Sequence, residues 1–178
     1  MPKDFDFTNS LNMGEMGVTI VKSVLRNKYP NITDYNDDME MQRRGVDLLV
    51  EGLGTVEVKT DSHSSDKFFF ELSVAGKPGA VDRCSADYFM VLYFKERVIY
   101  IIKRAELQKW LREHWSFIRR EHKDWVKTIS SSNKGKRWSA VGITVPRETF
   151  TQDVNVAVLT WEESEESMGN VNWEKGEK

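Results

Sequence analysis

Arg44-Gly45-Val46-Asp47-Leu48-Leu49-Val50-Glu51-Gly52-Leu53-Gly54-Thr55-Val56-Glu57-Val58-Lys59-Thr60-Asp61 places two acids and a lysine inside strands otherwise made of Val and Leu. Val46, Leu48 and Val50 alternate with Asp47 and Leu49. After a turn at Gly52 and Gly54, Val56 and Val58 alternate with Glu57 and Lys59. This is the period-two pattern of a β-hairpin. Alternation puts Glu57 and Lys59 on one side of their strand, and a hairpin register can lay Asp47 beside them. Three charged groups then converge on one face.

Two carboxylates held together repel and raise each other's pKa unless a cation sits between them. Carboxylates, a backbone carbonyl and water suit Mg²⁺, which keeps several waters and uses few protein ligands. The lysine ammonium can stabilise charge building up on a phosphate or, with a lowered pKa, help to orient or deprotonate the attacking water. The plainer alternative makes Asp47 a turn cap and Glu57 and Lys59 an ion pair on a solvated face. The Val and Leu neighbours, which look buried on both faces, weigh against it.

The motif resembles that of the PD-(D/E)XK nuclease superfamily: an acid at the end of one strand and Glu-x-Lys on the next. Asp47 matches the first acid and Glu57-Val58-Lys59 the Glu-x-Lys, with Val46 standing where the naming motif has Pro. Glu15, in Leu11-Asn12-Met13-Gly14-Glu15-Met16-Gly17, matches the glutamate that often completes the site from the first helix. The resemblance covers roughly residues 8–105. It implies a restriction-endonuclease-like α/β fold and a DNA nuclease dependent on Mg²⁺ or Mn²⁺. Asp47, Glu57 and the Val58 carbonyl would hold metal, and Glu15 would add an outer or second-metal contact. Lys59 would position water or stabilise the pentavalent phosphate. Some phage and mobile-element members look similar in carrying a Glu on the following strand, then a small-residue loop before Ala86-Asp87-Tyr88. Glu71 and Ser73, which alternation places on one face of that strand, are therefore second-tier candidates.

A length of 178 residues suggests one domain with a core large enough to stand without disulfides. Hydrophobic residues at 39% and charged residues at 30% are ordinary for a folded soluble chain. We expect a single nuclease domain over residues 1–161, with its core at 9–105, a basic helical region at 104–138 and further strands at 139–160. An acidic, loose tail is expected at 162–178. Cys84 is alone, so the setting expected is reducing and cytoplasmic, the host cytoplasm if the chain is phage-encoded. The polar start and the lack of a long apolar run argue against a signal peptide or membrane span.

The net charge of −2 conceals a segregation. Residues 103–137 hold eleven Lys or Arg against four acids, whereas 148–178 hold eight acids against two lysines. A locally positive patch is what steers a polyanion.

Upstream of the hairpin, Leu11, Met13, Met16, Ile20, Val21, Val24 and Leu25 recur at helical spacing over residues 9–29. A polar connection follows and ends in Arg43-Arg44, a basic pair beside the proposed phosphate site. Downstream, residues 68–74 read as a strand and 88–94 as a continuous apolar central strand. Leu107, Leu111, Trp115, Ile118, Trp125 and Ile129 give a helical face over residues 104–129, with a break expected near His114. Lys109, Arg112, Arg119, Lys123 and Lys127 line another face of it, as a stripe that could follow a phosphate backbone or simply be solvated. Residues 130–137, with Lys134, Lys136 and Arg137, read as a mobile arm that orders on DNA. Strands are expected at 139–145 and 154–160.

The three histidines and Cys84 show no zinc-ligand spacing, and neither a phosphate-cradling Gly-rich loop nor a nucleophile elbow is present. The reading is an α/β fold with a central mixed sheet of about four or five strands flanked by helices, and a metal-dependent DNA endonuclease. Its rivals are a junction-resolving homodimer with paired sites and an inactivated nuclease fold that only binds nucleic acid.

Overall fold

In the computed structural model, which describes residues 7–61, 65–133 and 136–161, the chain is α/β with two sheets. Helix α1 (Phe7–Arg26) leads to β1 (Ile32–Asp34), a short α2 (Met39–Arg43), and then the hairpin β2 (Leu48–Val50) and β3 (Gly54–Asp61). Next come β4 (Lys67–Val74), β5 (Lys77–Pro78) and α3 (Ala80–Arg83). The strands β6 (Tyr88–Tyr93) and β7 (Val98–Lys103) precede α4 (Arg104–Glu121). A 3₁₀ turn at Lys123–Trp125 introduces β8 (Val126–Asn133), β9 (Lys136–Pro146), α5 (Arg147–Asp153) and β10 (Ala157–Thr160).

The larger sheet has six strands in the order β1-β2-β3-β6-β7-β10. It is mixed: β3 and β6 run parallel, and every other pair is antiparallel. That parallel pair requires a crossover, here supplied by β4, β5 and α3. At the centre, β6 is buried on both faces, Met90 and Leu92 on one and Phe89, Val91 and Tyr93 on the other, which explains its uninterrupted apolar run.

Alternation along β3 assigns its two faces different fates. Val56 and Val58 belong to the core that packs under α1 with Val18, Val21, Val24 and Leu25. A Cβ on Gly17 would stand 2.2 Å from Thr60 Cγ2, so a side chain there would hold the helix off the strand. Glu57 and Lys59 leave on the opposite face, toward the core that α4 shares with the second sheet. That sheet is antiparallel, ordered β5-β4-β9-β8, and its Phe68 and Phe70 cluster with Phe150 of α5.

Several expectations change. The central sheet has six strands instead of about four or five, and the strand at Lys67–Val74 lies outside it, in the second sheet. Helix α4 runs unbroken past His114, stops at Glu121 and does not run to Ile129. Val126, Thr128 and Ile129 are β-branched, favour extended backbone, and find a partner in β9 from Val126↔Ile143 to Asn133↔Lys136. Trp125 and Ile129 thus fit a helical period that the chain does not use. The arm expected at 130–137 is, in its described part, the outer end of the β8–β9 hairpin. In α1, Met16 is exposed although it fits the apolar stripe. The acidic tail lies outside the described residues.

Candidate active site

The site is built where β2 begins. Asp38 caps α2 by accepting from the N–H groups of Glu40 and Met41. Gly45 follows at φ +65°, a backbone conformation open to glycine. A Cβ there would also crowd Cys84, whose thiol donates to the Gly45 carbonyl at 2.9 Å. The chain is thereby turned so that Asp47 enters the sheet edge, its N–H bonded to the Val56 carbonyl.

The register Leu48↔Val56 sets Asp47 across from Glu57, on the same face. One Asp47 oxygen, Oδ2, accepts the Val58 N–H at 2.7 Å, and Oδ1 receives Gln42 Nε2 at 3.4 Å. The β2–β3 ladder begins at Leu48 and Val56, so the Val58 carbonyl, which leaves the strand on the same edge as its N–H, lies past the ladder beside Asp47. Glu57 is the one buried charged residue among those described. Lys59 donates to Glu57 Oε1 at 2.5 Å while 45% of its own side chain stays exposed.

Burial, and then the charge of Glu57, push Asp47 up to about 6 against the opposing pull of the Val58 N–H, Lys59 and Gln42. Burial works to lower Lys59, but the attraction of Glu57, with Asp47 and Glu71 behind it, holds the ammonium above its ordinary value. One ammonium therefore serves two adjacent carboxylates, and negative charge is in excess.

Glu71 stands nearby. Its Oε1 accepts the Ala80 N–H at 3.1 Å, and it shares with Lys59, Phe70 and Phe89 the lining of a cavity of about 110 Å³. Ser73 does not accompany it. Between Glu71↔Gly142 and Ser73↔Val141 the register slips at a bulge, so the two residues face successive residues of β9 and leave the strand on opposite faces. The bulge breaks the alternation on which their pairing was predicted.

Glu15 is not brought to the trio. It is exposed on α1, about 200° around the helix from the sheet-facing Gly17 and on the far side of the sheet from Glu57 and Lys59. Among the described residues no three His, Cys, Asp or Glu side chains gather closely enough to hold a metal ion. The protein carboxylates available for one are the pair Asp47 and Glu57.

The basic residues divide. Arg43 is exposed on α2, and Arg44 caps that helix and donates from Nε to Ser85 Oγ at 3.2 Å. Lys109, 3.8 Å from Glu113, and the exposed Arg112 and Arg119 lie on α4. Lys123 is in the 3₁₀ turn and Lys127 on β8, so the five form no single helical stripe. Lys136 and Arg137 belong to β9, and Lys134 lies outside the described residues. Two contributors had no sequence signal. Gln42 reaches Asp47 from α2, and Asp87 accepts from both N–H and Oγ1 of Thr55, pinning the start of β3.

No protein-family model matches the chain, and no curated protein or solved structure matches it. No helix among the described residues is long and apolar enough to cross a membrane.

Proposed function

We propose that the chain is a Mg²⁺- or Mn²⁺-dependent DNA endonuclease of the PD-(D/E)XK type on a restriction-endonuclease-like core, working inside the cell. One observation carries the reading: Asp47 and Glu57 meet across the hairpin with Lys59 as their only described cationic partner, so the pocket lacks positive charge. A divalent ion fits that deficit. Asp47, Glu57 and the Val58 carbonyl are a hard oxygen set of the kind Mg²⁺ accepts, with water and substrate phosphate making up the rest. When bound, the ion supplies charge neutralisation and a more acidic water.

The chain's own residues do the remainder. Gln42 and the Val58 N–H hold the Asp47 carboxylate at the strand edge. Because the Lys59 ammonium is held charged, it serves to stabilise a phosphate and orient water instead of taking a proton. Phosphodiester hydrolysis follows from these roles. The mode proposed is cutting within a strand.

The close Lys59–Glu57 pair favours a second reading, a nucleic-acid-binding module whose site is internally neutralised. Plasmid digestion with Mg²⁺, Mn²⁺, Ca²⁺ or chelator, run on wild type and Lys59→Ala, separates the two. Endonuclease activity requires metal-dependent nicking by wild type that the variant loses. Absence of nicking with duplex binding intact selects the module. Adding four-way junction and linear duplex substrates separates a general cutter from a junction-resolving homodimer.

A further inference from the structure

The cavity beside Lys59 takes no part in the hydrolysis proposed above. It measures about 110 Å³ and is lined by Lys59 and Phe89 from the larger sheet, Phe69 and Glu71 from the second, and Ala80 of α3. Phe69 is 40% exposed and the Lys59 side chain 45% exposed, so the cavity opens to solvent beside the ammonium.

Phe69 and Glu71 leave β4 on one face, two residues apart and ahead of the bulge. The Phe69 ring lies across Gly142, where a Cβ would stand 2.3 Å from its Cε2 and Cζ, so the seat of the ring depends on glycine. Glu71 Oε1 accepts the Ala80 N–H at 3.1 Å, the side chain's one hydrogen bond among the described residues. Its charge acts on Lys59, and an ionised carboxylate can only accept. Oε2 is thus an acceptor open to a ligand.

An aromatic wall ending in an acceptor suits a planar heterocycle that carries an N–H donor. Lys59 at the mouth ties that ring to a phosphate, which makes the occupant a nucleobase. Size and polarity then choose among the bases. An apolar cavity of ~150 Å³ takes a single benzene ring. At about 110 Å³ with an open mouth, this one takes one six-membered ring and excludes a fused purine. Cytosine presents the N4 amino donor that a glutamate accepts, whereas thymine presents O4, which a carboxylate repels.

We infer that the cavity takes the unstacked cytosine of the nucleotide whose phosphate meets Lys59, with Phe69 against its ring and Glu71 Oε2 accepting from N4. This rests on the proposed nuclease reading and adds to it a base preference at the cut.

The deoxynucleoside 3′,5′-bisphosphates of cytosine, thymine and adenine carry both phosphates of a chain nucleotide. Each is titrated calorimetrically into the full chain with Mg²⁺. Wild type is expected to bind the cytosine compound ~10-fold or more tightly than the other two. Glu71→Gln keeps an oxygen for the Ala80 N–H but can turn an amide donor toward the ring, so its preference should move from cytosine to thymine. Phe69→Leu should weaken the cytosine compound ~10-fold. Thermal unfolding confirms that each variant folds, and the wild-type ranking is read whether or not they do. Equal or undetectable affinities in wild type, or a cytosine preference that Glu71→Gln leaves intact, overturns the inference. Hydrolysis of bis(p-nitrophenyl) phosphate, which has no base, is followed in parallel with Mn²⁺. Wild type that hydrolyses it but ranks the three compounds equally sinks the base pocket alone. Wild type that is inert yet shows a Glu71-dependent cytosine preference sinks only the catalytic reading.

Discussion

Two acid–base clusters sit on this framework, and they close their charge differently. At one, Arg147 meets Glu96 through two guanidinium nitrogens at 2.7 and 2.9 Å, donates to the Tyr100 hydroxyl at 3.0 Å, and lies over the rings of Tyr93 and Tyr100. One cation answers one anion, and aromatic faces cover the guanidinium. At the other, Lys59 is bonded to Glu57, Asp47 has no cation in hydrogen-bond contact among the described residues, and burial, then the charge of Glu57, raises the pKa of Asp47. The first cluster is complete as a structural tie between the β6–β7 hairpin and α5. The second is left short of a positive charge, which is the property expected of a group meant to receive a cation.

Removing the charges proposed as catalytic presses hardest on this contrast. Asp47→Ala or Lys59→Ala is expected to reduce metal-dependent plasmid nicking by ~10²-fold or more, the scale of losing one charge-stabilising or acid–base group. Arg147→Met should leave nicking within a few-fold once the protein is folded. Equal losses from both clusters would erase the distinction.

Metal is expected to stabilise the wild type through one cluster only. Mg²⁺ or Mn²⁺ at a hundred times its dissociation constant should add ~2.7 kcal/mol to unfolding, read as a rise in Tm. The rise should vanish in Glu57→Gln and survive in Arg147→Met. A metal-induced rise that persists in Glu57→Gln would place the ion elsewhere.

The structural tie should show its value in metal-free unfolding. Arg147→Met is expected to cost roughly 1–3 kcal/mol, below the full range for a buried pair because Glu96 is 34% exposed. Chemical denaturation with chelator present measures it.

The smallest effect sharpens the comparison most, because its sign is unusual. Asp47 has its folded pKa raised to about 6 from 3.8, so the folded state holds the proton more tightly than the unfolded chain. The stability this contributes is full below pH ~4 and is lost as pH rises through ~6. Asp47→Asn removes that loss, so without metal the variant should be more stable than wild type by ~1–2 kcal/mol at pH 7.5. The advantage should fade by pH 4. A variant less stable than wild type at pH 7.5 would mean that Asp47 is not electrostatically strained.

Much of the site was legible because it is local. Alternation in residues 46–61 put Glu57 and Lys59 on one face, and a short Gly-containing turn brought Asp47 back beside them. Glu15 and Ser73 escaped for different reasons. The phase of α1 against the sheet is set by Gly17 closing on Thr60, a contact between residues far apart in the chain. The bulge at Leu72 depends on how β4 aligns with β9, about seventy residues away. The basic stripe failed where Trp125 and Ile129 happened to continue a helical period past Glu121.

The amino-acid order by itself determined the hairpin, the two-sided burial of β6 and the amphipathic helices, since each depends on periodicity within a few residues. Only the tertiary structure decided which sheet each strand joins, that Gln42 and Glu71 flank the charged trio, and that β8 pairs with β9 where a longer helix was expected. Strand pairing matches hydrogen-bonding edges that any extended segment presents, and the choice among partners is made by packing across the whole chain.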